Sequence, residues 1–243
     1  MFQSYIERFA NKKDIKKLFK SLFPICRSIT GRGFDDSLYL LGKHIDLNIF
    51  KFKTGKKVLD WTIPKVWNID NAYIKTPNKK KIANFKINNL HVVNYSTPIN
   101  KYFNLNEIKK KISTLPKMPN AIPYVTSYYN KDWGFCMKHK DFVKLKPGAY
   151  KAYINSSLKP GFLKYSDTKI QGKTNDEILL SSYICHPSMA NHELSGPILM
   201  SLLYKIMKNS GPHKYTYRFL ICPENIGAAA FLHKNKKNIK KKS

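Results

Sequence analysis

The sequence predicts an α/β protein: a mostly parallel sheet with flanking helices, carrying a small β-rich domain as an insertion. Three observations lead there. The last third alternates apolar strands with amphipathic helices, as "EILLSSYIC", "SGPILMSLLYKIM" and "YTYRFLICP" do in turn. The middle, about residues 59–150, breaks into short β-type runs separated by Pro, Asn and Gly. The first 58 residues read mainly as helices. Residues 1–58 and 151–243 are therefore assigned to one α/β domain, and 59–150 to the insertion.

At the amino end, "MFQSYIERFANKKDIKKLFKSLF" sets Ile6, Phe9, Ile15, Phe19 and Leu22 near helical spacing, which predicts an amphipathic helix. It has no apolar stretch followed by a small-residue cleavage site, so it is not read as a signal peptide. "CRSITGRGFDDSLYLLGKHI" predicts a Ser/Thr-Gly turn, then a helix with Phe34, Leu38 and Leu41 on one face. In the middle region, "KVLDWTI", "NAYIKT", "NLHVVNYS", "IPYVTSYY" and "WGFCM" read as strands. "LNEIKKKISTL" reads as a short helix and "PKMPNAIP" as a loop broken by proline. Next, "AYINSSL" and "FLKYSDTKI" read as strands. "EILLSSYIC" is apolar almost throughout, the pattern of a strand buried on both faces of a parallel sheet. "SGPILMSLLYKIM" is an amphipathic helix, "YTYRFLICP" the next buried strand, and "GAAAFLHKNKKNIKK" a last helix. No stretch has the apolar length of a membrane span, and no internal repeat is visible.

Hydrophobic residues make up 42% of the chain and aromatics 13%, enough for a packed core and against disorder. The net charge of +29 invites a nucleic-acid partner, but the excess is almost all lysine. Arginine, which reads phosphates and bases bidentately, occurs only at Arg8, Arg27, Arg32 and Arg218. Abundant Asn and Ile accompany the lysines, as A/T-rich codons would produce, so a nucleic-acid partner is not expected. Cys26, Cys136, Cys185 and Cys222 are scattered without a CxxC pair, which argues against a zinc knuckle and a disulfide framework and for reduced thiols in the cytoplasm.

The densest chemistry lies in "SSYICHPSMANHELSGP", residues 181–197. A β–loop–α–β–loop–α order with right-handed crossovers puts His186 just past one strand end and Glu224 just past the next, the edge where open α/β sheets build sites. His186 is either a zinc ligand or a hydrogen-bonded loop histidine. His192 or Glu193 is either a second ligand or, for Glu193, a solvated carboxylate at a helix start. Glu224 is either a general base or a carboxylate receiving backbone N–H groups. Ser195 reads as a helix cap with Pro197 in the first turn, since no G-x-S-x-G surrounds it. Cys185 and Cys222 read as buried small hydrophobes; strand alternation points Cys185 away from His186. Trp61, Trp67, Tyr128, Tyr129 and Trp133 either line a cleft or, as aromatics commonly do in a small β module, fill its core.

"PICRSITGRG", "DWTIPKVWNIDNAYI", "NNLHVVNYS", "LPKMPNAIPYVTSYYNKDWGFC", "EILLSSYICHPSMANHELSGP" and "YTYRFLICPENIGA" occur in an order that closely resembles a bacterial aminopeptidase-like family. That family has long been labelled a domain of unknown function, carries a second such domain as an insertion, and is often encoded among genes for surface-polysaccharide synthesis. The resemblance covers nearly all of residues 20–233. It implies a zinc-exopeptidase-like, phosphorylase/hydrolase-like fold and hydrolysis of peptide or related amide bonds in a small-molecule substrate. By motif position His186 resembles the first zinc histidine, His192 stands where related peptidases place a metal-bridging aspartate, Glu193 is a substitute ligand, and Glu224 resembles the general base. The pattern departs at Ser188, where those peptidases have an aspartate orienting the histidine, and at Glu224-Asn225, where they have paired glutamates. These departures support an alternative, a non-catalytic protein that binds a peptide or amino-sugar. Relatives run past residue 243, so the ending "KNKKNIKKKS" is read as a C-terminal truncation. A sheet cut there exposes a strand edge and apolar surface, and low solubility or absent activity is the expectation.

Overall fold

The computed structural model describes residues 11–128 and 130–240. Ile6, Phe9 and Tyr129 lie outside the described residues. In chain order the elements are α1 (Lys12–Leu22), α2 (Arg32–Leu41), β1 (Ile49–Lys53), β2 (Lys57–Val58), β3 (Trp61–Thr62), β4 (Val66–Lys75), β5 (Lys81–Ile82) and β6 (Ile99–Phe103). Then come α3 (Leu105–Lys109), β7 (Ile112–Ser113), β8 (Phe135–Cys136), α4 (His139–Phe142), β9 (Tyr150–Lys159), β10 (Phe162–Ile170) and β11 (Glu177–Tyr183). A π-helical turn (Ala190–Leu194), α5 (Ser195–Asn209), β12 (Thr216–Cys222) and α6 (Ile226–Lys240) complete the chain. They divide into two compact units, residues 1–65 with 160–243, and residues 66–159.

The first unit is the α/β body. Its four-stranded sheet runs β1-β10-β12-β11. Phe219 and Ile221 of β12 pack beneath Leu18 and Leu22 of α1, Phe34, Leu38 and Leu41 of α2, and Ile198 and Tyr204 of α5. The opposite face meets α6, where Phe231 stands edge-on to Tyr165 of β10 at 6.1 Å. β12 is thus covered on both sides, as its apolar run requires. Its one cation, Arg218, sits at 7% exposure with Asp167 (3.2 Å) and Glu177 (2.9 Å) as counter-charges. Burying a guanidinium demands such partners.

Three sequence expectations need correction here. The sheet is mixed rather than mostly parallel: β11 and β12 pair in parallel, but β1–β10 and β10–β12 are antiparallel. A parallel neighbour needs a long crossover, and α5 supplies one between β11 and β12. The first 58 residues also hold a strand, β1, in which Phe50, Lys51, Phe52 and Lys53 alternate apolar and charged at a period of two. And β11 is an edge strand: Ile178 is 40% exposed and Leu179 49%, while burial begins at Ile184 and Cys185.

The second unit is β-rich. Its antiparallel sheet runs β5-β4-β9-β6, with a bulge in β4 between Ile69 and Asn71. The boundaries shift from 59–150 to 66–159, because β9 pairs along β4 and β6 while β2 and β3 pair with each other in the first unit. Phe135, Ile74, Ala152, Ile154 and Ile108 fill its core. The "LNEIKKK" helix forms as α3, with a reciprocal capping box between Asn104 and Glu107. "NLHVVNYS" is not a strand but a 3-10 turn at Asn89–His91 followed by isolated bridges, one of them between Asn94 and Thr126 of "IPYVTSYY". Trp67 is buried, stacks on Tyr95 at 5.8 Å, and donates to the Ser96 carbonyl. Tyr128 meets Tyr95 edge-on, and Trp133 packs on Phe103 and Phe135. These aromatics build core, whereas Trp61 belongs to β3 in the first unit.

Phe219 lies at 0% exposure in the main core. Phe219→Ala should cost about 3–5 kcal/mol in denaturant unfolding, because the cavity can close only partly. Leu199→Ala, at a site 56% exposed, should change stability by less than about 0.5 kcal/mol in the same assay.

Candidate active site

β11 and β12 run in parallel with Tyr183 opposite Cys222, so the residues after both strands emerge at the same sheet edge. The Ile184 N–H donates to the Cys222 carbonyl at 3.1 Å and carries the pairing one step further. His186 and Glu224 follow directly, with Nε2 of the imidazole 3.3 Å from Oε2 of the carboxylate. Both turns pass through left-handed backbone, at Ser188 (φ 54°) and Asn225 (φ 55°). Asparagine tolerates that conformation best among side-chain-bearing residues, and such strain gathers where a fold must aim functional groups.

The π-helical turn Ala190–Leu194 leads into α5. One wide turn inserts an extra residue and turns neighbouring side chains in different directions. His192 is left exposed and Glu193 is buried at 2% exposure. Glu193 places Oε1 at 2.9 Å from Arg27 Nε, which also donates to the His186 carbonyl at 3.0 Å. Its Oε2 lies 2.7 Å from His186 Nδ1 and accepts the His186 backbone N–H. Arg27 Nη1 reaches back to the Leu22 carbonyl at 2.5 Å. Gly33 makes this possible, since a Cβ there would sit 2.0 Å from the Cys26 carbonyl oxygen and push α2 off the segment carrying Arg27. Burial lowers the Arg27 pKa and Glu193 opposes that shift, so an intrinsically very basic group keeps its charge.

On the open side, the His192 ring lies 5.2 Å from the His186 ring at a 35° tilt. Tyr183 places its hydroxyl 3.2 Å from His192 Nδ1. Burial, then Glu224, push the Tyr183 hydroxyl pKa upward. Donor atoms of His186, His192 and Glu224 all lie within 4.8 Å of one another, as do those of Cys185, His186 and Glu193.

His186, His192 and Glu224 are therefore brought together. Glu193 faces the other way: both oxygens serve Arg27 and His186, so it anchors the histidine instead of offering an oxygen to an ion. It takes over the orienting part that Ser188 lacks a carboxylate to play. Cys185 lies closer to His186 than strand alternation allows, its sulfur 3.8 Å from Nδ1, because both residues follow the end of β11. Burial raises its thiol well above the ordinary range, which opposes the thiolate a nucleophile needs. Burial likewise pushes Cys222 up to about 12. Ser195 is not a cap; its hydroxyl donates back to the Asn191 carbonyl at 2.6 Å. Pro197 does occupy the first turn of α5.

The imidazole nitrogens of His186 and His192 fit a zinc ion chemically, and the Glu224 carboxylate stands within reach of both. With His186 Nδ1 held by Glu193, its Nε2 is the nitrogen beside Glu224, the arrangement metal-bound histidines commonly show. Arg27 and Tyr183 were not singled out from the sequence. A clue to Arg27 existed: in a chain whose cations are nearly all lysine, two of the four arginines, Arg27 and Arg218, prove to be buried against carboxylates. That is a task for a planar, permanently charged fork.

Residues 16–243 match the family described as Domain of unknown function (DUF4910). A Clostridium acetobutylicum protein named for polysaccharide biosynthesis, with an aminopeptidase-like domain, is 44% identical over 227 residues, covering 93% of this chain and 52% of the relative. A crystal structure described as a peptidase from Clostridium acetobutylicum superposes with a TM-score of 0.92 at 43% identity, over 98% of this chain and 56% of that one. The chain thus spans about half the length of these relatives. An M28 peptidase precursor from Shewanella amazonensis shares the fold at TM-score 0.60 and 8% identity, over 98% of this chain and 71% of that one. A zinc aminopeptidase from Bacillus subtilis shares it at 0.50 and 12%, over 85% and 60%.

Arg27 and Glu193 both have fully buried side chains. Arg27→Ala should destabilise the first unit by about 3–5 kcal/mol in denaturant unfolding, because it strands the Glu193 charge. Arg27→Met combined with Glu193→Leu should cost less than Arg27→Ala alone.

Proposed function

We propose that this chain, which belongs to the DUF4910 family, carries the metal-binding and proton-transfer residues of an aminopeptidase-like, zinc-dependent hydrolase of peptide or related amide bonds. One observation carries the reading: two imidazoles and a carboxylate, from loops after two parallel strands, hold donor atoms within 4.8 Å of one another at a sheet edge. The M28-type fold supports it, since the relatives of that fold include a zinc aminopeptidase.

His186 and His192 would hold the ion. Zinc supplies Lewis-acid polarisation of a substrate carbonyl. Glu193 and Arg27 keep His186 in one orientation. Glu224, whose side chain is 40% exposed, takes a proton from the attacking water and returns it to the leaving amine. We place the chain in the cytoplasm, because its four cysteines are free and three of them are buried. Among the described residues no helix is long and apolar enough to cross a membrane.

A second reading has its own support. Asn225 stands where a further carboxylate would strengthen the ion site, and a relative is named for polysaccharide biosynthesis. A non-catalytic protein that binds a peptide or amino-sugar for that synthesis fits those facts.

Metal content and turnover of aminoacyl-nitroanilides separate the readings. The expected result is zinc uptake that His186→Ala abolishes, with slow turnover that Glu224→Gln lowers about 100-fold while leaving the zinc. Zinc uptake with no turnover selects the binding protein. No zinc uptake, or turnover indifferent to both substitutions, rejects the hydrolase.

A further inference from the structure

Tyr183 ends β11, three residues before His186. Its ring meets His186 edge-on at 5.9 Å and His192 at 5.5 Å. Its hydroxyl oxygen is 3.2 Å from His192 Nδ1. The two imidazoles of the site are thus held in different ways. His186 is buried and secured through Nδ1 by the Glu193 carboxylate. His192 sits exposed on the π-helical turn, on a different element from Tyr183, and the phenol meets its Nδ1.

We propose that Tyr183 is the positioning residue for His192, holding Nδ1 protonated so that Nε2 carries the lone pair an ion requires. This rests on the metal-site reading above. A neutral imidazole has one N–H and one lone pair. When Nδ1–H donates to the phenolic oxygen, the lone pair must lie on Nε2. When the phenol donates to Nδ1, the hydrogen moves to Nε2 and blocks that nitrogen. The phenol accepts in the binding-competent tautomer, and its ring limits rotation of an imidazole that solvent alone would leave loose. Partners of this kind commonly change metal affinity by about 10- to 100-fold. Glu193 does the same for His186 from the buried side, so the site has one rigid, charged anchor and one neutral anchor at the surface.

The test uses the whole chain, first free of metal. Long-range proton–nitrogen NMR reads the tautomer of each histidine ring, and the His192 signal is assigned by its loss in His192→Asn. The expected result is an Nδ1–H tautomer at His192 in the native chain and a tautomer mixture in Tyr183→Phe, which keeps the ring and its packing. Zinc affinity should fall about tenfold in Tyr183→Phe, with unchanged thermal unfolding of the metal-free chain. An unaltered His192 tautomer, or unaltered zinc affinity, overturns the proposal. Loss of turnover with both unaltered also overturns it and assigns the hydroxyl to substrate instead. Failure of the metal reading shows separately, as no zinc uptake by the native chain or zinc retained by His186→Ala, and the tautomer of the metal-free chain then decides the role of Tyr183 alone.

Discussion

A buried guanidinium–carboxylate pair, Arg27 with Glu193, is the constraint on which the arrangement at the sheet edge depends. It ties the connection after α1 to a stretch far along the chain, the loop after β11 and the π-helical turn that follows it before α5. Taking both ions out of water costs several kcal/mol each, so the pair persists only if the surrounding groups are satisfied. Here they are used efficiently. Glu193 spends one oxygen on Arg27 and the other on the backbone and ring of His186. Arg27 spends its remaining reach on the carbonyls of His186 and Leu22. The ring of His186 inherits its orientation from this network.

The second determinant is the pairing of β11 with β12. A parallel pair delivers the two strand ends to one place, and the sharp turns at Ser188 and Asn225 then aim the following residues. β12 can be central because it is apolar on both faces, with Arg218 answered by Asp167 and Glu177. β11 also carries an apolar Ile-Leu-Leu run but lies at the edge, where Ile178 and Leu179 remain open to solvent. Composition describes what a strand can tolerate; its place in the sheet depends on which neighbours arrive.

The net charge of +29 is carried almost entirely by lysine. Lysines lie over aromatic faces or reach scattered acids, as Lys234 lies over Phe50 and Lys208 reaches Asp46. Arg27 and Arg218 are instead buried against carboxylates. This division follows from chemistry: a hydrated ammonium on a flexible stem suits surfaces, whereas a delocalised fork suits buried carboxylates.

Much was legible in the sequence because it is local. Helical spacing marked α1, α2 and α5, and apolar runs marked β11 and β12. His186, His192, Glu193 and Glu224 stood out because each sits beside the end of a strand or the start of a helix. Other features depend on residues far apart in the chain. The antiparallel placement of β10 against β12, the exposure of β11 and the turning of Glu193 inward toward Arg27 all involve partners that no sequence window contains; Tyr183 and His192 share one window, but only the path of the chain after β11 brings their side chains together. Hydrophobic periodicity reports which face of an element seeks cover. Only the folded chain decides which partner provides it, because burial, ion pairing and imidazole orientation are set by long-range contacts.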